Sequence, residues 1–84
     1  MPVISRFYGI IIRMYFRASE HNPPHIHAIY GEDVAAVEIL TGEVIEGYLP
    51  PTAIDMVRKW TDKNKQKLLK MWNTQEIKKL PPLV

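Results

Sequence analysis

The stretch EVIEGYLPPTAIDMVRKW, residues 43–60, changes its period at the centre, and that change decides the fold. Glu43 to Leu49 reads as a strand, and Pro50-Pro51 ends it by removing two backbone donors. Beyond the prolines Ala53, Ile54, Val57 and Trp60 recur at helical spacing, with Thr52 as the expected N-cap and Asp55 three residues later. A sheet precedes this point and helices follow it.

Toward the C-terminus the apolar seam extends through Leu68, Leu69 and Trp72. An unbroken helix from Thr52 to Lys78 would be about 40 Å long, whereas a domain of this size is only about 30 Å across. The spacing therefore predicts a break near Asp62 to Asn64 and a second helix folded back, so that Trp60 and Trp72 cover one face of the sheet as core residues. Leu80 to Val84, with Pro81 and Pro82, reads as an extended tail.

Toward the N-terminus, Pro2 to Phe7 and Ile10 to Phe16 are rich in β-branched and aromatic residues and read as strands joined at Tyr8-Gly9. Arg17 to Pro24 is a polar loop stiffened by Asn22-Pro23-Pro24. A strand from His25 to Tyr30 follows, then a turn at Gly31-Glu32-Asp33, a strand from Val34 to Leu40 and a tight turn at Thr41-Gly42. Sequential hairpins make an antiparallel meander the simplest sheet. The expected fold is α+β: a meander of four to five strands followed by two C-terminal helices packed on one face.

With 84 residues the chain can build one hydrophobic core and not two, so a single domain over residues 1–84 is expected. There is no cysteine, which leaves any metal to histidine and carboxylate ligands and fits a reducing, cytoplasmic compartment. The run Ile10 to Ile12 is too short for a membrane span, so no membrane partner is expected. The net charge of +2 conceals a separation. Glu32, Asp33, Glu38, Glu43 and Glu46 form an acidic block, whereas Arg58, Lys59, Lys63, Lys65, Lys67, Lys70, Lys78 and Lys79 face only Asp62 and Glu76. Such a basic segment is either the solvated face of a helix or a surface for RNA or an acidic protein, with Lys63, Lys67 and Lys70 as candidate phosphate contacts.

The residues with chemical potential lie in Glu20-His21-Asn22-Pro23-Pro24-His25-Ile26-His27, which holds all 3 histidines. On a strand His25 and His27 point to the same side, with Cα atoms about 6.5 to 7 Å apart. Four uses of this cluster stay open. Two or three imidazoles with Glu20 can hold a metal ion, although the spacing matches no common structural zinc pattern, and no cofactor is expected. A metal-free His pair with Arg13 and Tyr15 nearby can perform the acid–base chemistry of RNA cleavage at a 2′-hydroxyl. His21, Asn22, Pro23 and Pro24 can present a rigid recognition surface without chemistry. The histidines can also simply satisfy loop backbone groups. For the catalytic use both rings, His25 and His27, are expected to open into a shared hollow, and substituting His25 and His27 by alanine should then abolish activity and spare the fold.

Met1 to Ile10, Met14-Tyr15-Phe16, His21 to Ala28, Tyr30-Gly31-Glu32, Gly42-Glu43-Val44, Glu46-Gly47, Leu49-Pro50 and the paired Trp60 and Trp72 together resemble one family, the bacterial domain of unknown function numbered 4160. The Asn-Pro-Pro-His-x-His core is the most distinctive part. The family usually carries Asp before the first His, where this chain has Glu20, and the loop from Arg17 to Ser19 is slightly longer here. The resemblance implies no established activity. It implies a gene set beside another small gene in pairs proposed to be toxin–antitoxin modules, hence a small protein partner and, for the toxin-like member, action on RNA. The alternative is a non-catalytic module that binds and regulates that partner.

Overall fold

β-Branched runs separated by two-residue turns dictate the first half of the chain. The computed structural model describes residues 3–14 and 23–83. Val3–Phe7 (β1) and Ile10–Arg13 (β2) form a hairpin closed by Tyr8 and Gly9, both at positive φ, as a right-twisted two-residue turn requires. His25–Tyr30 (β3) and Asp33–Glu38 (β4) form another around Gly31 and Glu32, and Val44–Gly47 (β5) completes the sheet. The strand order is β1-β2-β3-β4-β5, antiparallel throughout, so the meander is as expected.

Some boundaries shift. The second strand ends at Arg13 rather than Phe16, with Tyr15 and Phe16 outside the described residues. Asp33 pairs with Tyr30 and belongs to β4, which shortens the expected three-residue turn. The β4–β5 turn is wider than Thr41-Gly42: Glu38 already bonds to Glu43, and the Gly42 N–H donates to the Glu38 carbonyl. Gly47 sits at φ +80°, and a Cβ there would run into the Val34 carbonyl oxygen, so the close approach of β5 to β4 needs glycine.

One face of the sheet, carrying Phe7, Ile10, Ile12, Ile26, Ala28 and Val37, is covered by helices Pro51–Lys63 (α1) and Lys65–Thr74 (α2). The first helix begins one residue before Thr52, which makes no side-chain cap. Pro50 is the N-cap, and Pro51 fits the first turn because its missing N–H would be unpaired there in any case. The expected break falls at Asn64, which is buried. Its backbone N–H and its side-chain Nδ2 both donate to the Trp60 carbonyl, and its own carbonyl accepts from Leu68, so one residue ends α1 and starts α2. The longest dimension of the molecule, 30 Å, explains why the helix cannot run on.

The second helix ends at Gln75, a left-handed residue that turns the chain back along β1. The tail packs there: Leu80 N–H donates to the Ile4 carbonyl at 2.9 Å, and the indole Nε1 of the fully buried Trp60 donates to the Pro81 carbonyl at 2.8 Å. Trp60 lies against Phe7 as a core residue, as expected.

Candidate functional site around His25 and His27

Strand β3 starts directly after the proline pair, and its first residue is fixed before any tertiary contact is made. Nδ1 of His25 lies 2.9 Å from the Pro23 carbonyl oxygen. A carbonyl only accepts, so Nδ1 carries the proton, and in the neutral ring Nε2 keeps the lone pair. Alternation along β3 sends Ile26 and Ala28 to the helix-covered core, while His25, at the first position of the strand, is reached by both His27 and α2. The two rings meet edge-on, with centroids 5.2 Å apart at 67°, and the Trp72 ring of α2 lies 5.1 Å from that of His25.

The expectation of two rings in a shared open hollow is corrected by burial. His25 is 2% exposed and lies among the sealed side chains, whereas His27 is half-buried. Trp72, which sequence reading assigned to the core alone, closes against His25 at this corner. Of the pair, therefore, only His27 is partly open to solvent.

The sheet register brings Arg13 to this site, as its strand suggested. Arg13 on β2 pairs directly with His27 on β3, and the same row continues to Ala36 on β4 and Glu46 on β5. The Arg13 Nε is buried without a hydrogen-bond partner, which leaves a strong donor uncommitted beside the imidazole. On this face Arg6 and Arg13 stand on β1 and β2, and Glu38 and Glu46 on β4 and β5, so charge changes sign across the strands with His27 at the boundary. Ile11 and Ile29, half-buried, and the exposed Val34 share the face.

Of the other expected binding residues, Pro23 is exposed and Pro24 half-buried, and the Pro24 carbonyl accepts from Ile39 N–H. His21 and Asn22, like Glu20 and Tyr15, lie outside the described residues. Among the described residues no three His, Cys, Asp or Glu side chains group as a metal site would require. The lysines divide. Lys67 and Lys70 line one hollow together with Lys78 and Lys79, which sequence reading did not single out, whereas Lys63 lines a different one with Asp62, Asn64 and Lys65, and Lys67 borders both.

Fold and site define a small α+β domain in which a five-strand meander backed by a helix pair carries two edge-on histidines, one sealed and one accessible. A family model described as a domain of unknown function, DUF4160, matches residues 9–73, and the chain belongs to that family. The matched segment contains β2 to β5, both histidines of β3, Trp60 and Trp72. No curated protein and no solved structure matches the chain.

Proposed function

We propose that the domain acts on RNA as the toxin-like member of a two-gene module, through His27 and Arg13, with His25 as the positioning residue. The observation that supports this reading is the direct pairing of Arg13 with His27 across β2 and β3, which sets a guanidinium and a half-buried imidazole in one row of the sheet. Arg13 can hold a phosphate oxygen through its fork of N–H donors. His27 can take the proton of a ribose 2′-hydroxyl, whose oxygen then attacks the adjacent phosphorus; the 5′-oxygen leaves and is protonated by water, giving a cyclic phosphate and a 5′-hydroxyl. Such chemistry calls on no metal.

The test uses His27→Ala and Arg13→Gln with an RNA oligonucleotide and its DNA counterpart. Either substitution should lower cleavage of RNA by at least about a hundredfold, the usual range for losing one acid–base group, and DNA should be left intact. Equal RNA cleavage by wild type and His27→Ala would remove the catalytic reading. A second reading, docking of the partner protein, is favoured by the apolar Ile11, Ile29 and Val34 on the same face. It predicts that Val34→Glu breaks a complex with the co-expressed partner and leaves RNA binding unchanged.

A further inference from the structure

Residues 67, 70, 71 and 74 fall on one face of α2, so Lys67, Lys70, Met71 and Thr74 form a continuous wall. The left-handed Gln75 then reverses the chain, and the bonds at Leu80 and Pro81 hold the returning segment so that Lys78, Lys79 and Leu80 form the facing wall. The hollow between them has a volume of ≈ 300 Å³, about the bulk of one nucleotide.

All four lysines are exposed, and the lining supplies only the Glu76 carboxylate against them. Among the described residues Lys59 pairs with Asp55 and Lys65 with Asp62, yet none of these four lysines is ion-paired. The Thr74 hydroxyl is committed to the Lys70 carbonyl. Cations gathered from two separate segments, without internal counter-charge, raise the local concentration of anions. The buried Met71 and half-buried Leu80 give the same hollow an apolar floor.

We infer that this hollow is a backbone-binding site for a single RNA strand, in which Lys67 and Lys70 on one wall and Lys78 and Lys79 on the other contact the two phosphates flanking one nucleotide, and the Met71–Leu80 floor receives its base or ribose. The inference rests on the RNA reading above and locates where the strand is held. Lysines on flexible stems suit phosphates, which need charge and not a fixed fork, and contact of this kind positions RNA without reading its sequence. Lys78 and Lys79 lie just beyond the matched segment 9–73.

The experiment measures binding of a labelled oligouridine to the full chain across a salt series, for wild type, Lys67→Gln/Lys70→Gln, Lys78→Gln/Lys79→Gln, and the charge-matched control Lys59→Gln/Lys65→Gln. Each single-strand phosphate contact contributes about 0.7 to the slope of log affinity against log salt, so each hollow pair, holding one phosphate, should lower the slope by about 0.7 and the control should not. Thermal unfolding of each variant checks that the fold is kept. If wild type binds and the hollow pairs leave the slope unchanged, or the control lowers it equally, the hollow is refuted while RNA binding stands. If wild type binds no oligouridine, both fail together. Polyglutamate binding as tightly as RNA through the same four lysines would also overturn the assignment, in favour of an acidic protein segment.

Discussion

His25 and His27 are two residues apart, yet their environments assign them different work. The sealed ring of His25, bonded to Pro23 and packed on Trp72, has no apolar replacement of the same shape, so His25→Ala should cost about 2–4 kcal/mol of stability by opening a cavity and stranding the Pro23 carbonyl. His27→Ala, at a half-buried position, should cost less than about 1 kcal/mol. Urea unfolding midpoints of the two variants check this directly; equal midpoints would mean that burial does not distinguish them. The meeting of the two rings could be read from Pro23-Pro24-His25-Ile26-His27 itself. The cover over His25 could not, because Trp72 arrives from another element and periodicity says which way a side chain points but not what meets it. Gly47 is a further residue-scale test. Gly47→Ala should destabilise by more than about 2 kcal/mol, combining the strain of a positive φ with the clash against the Val34 carbonyl, and loss of sheet signal in circular dichroism on mild heating would report it.

At the scale of elements, the third strand and the helix break were legible to the residue or nearly so, each for a local reason. Pro24 forces the start of β3, and the mismatch between helix length and domain size forces a break that Asn64 satisfies with its own side chain. The helix start was misjudged because Thr52 and Asp55 imitate a capping box, while Pro51 already supplies a preorganised first turn. The tail is held chiefly through Trp60. Trp60→Phe removes the donor to Pro81 and leaves that carbonyl unpaired, at a cost of about 1–3 kcal/mol. Hydrogen exchange at the Leu80 amide, which donates to Ile4, should then quicken ahead of exchange in β2 and β3; protection unchanged at Leu80 would show that the tail is secured elsewhere.

For the whole molecule, the charge separation in the sequence becomes a separation in space. Five of the acidic residues gather on β4, β5 and their turns and eight of the basic ones on α1, α2 and the tail, with Arg6 and Arg13 on β1 and β2 and Asp55, Asp62 and Glu76 among the basic set as exceptions. The convergence of Lys67 and Lys70 with Lys78 and Lys79 was not legible, since it depends on a chain reversal at Gln75, a residue type that carries no turn signal of its own. Among the described residues no helix is long and apolar enough to cross a membrane.

Every strand of this sheet lies beside its neighbour in the chain, so each hairpin can zip up from its own turn with little loss of chain entropy. The exception is the Leu80–Ile4 bond, which joins the far ends of the polypeptide. Assembly is thus ordered in time: sheet and helices can form early from local pairings, and the basic rim that Lys78 and Lys79 complete closes only when the returning segment docks on β1.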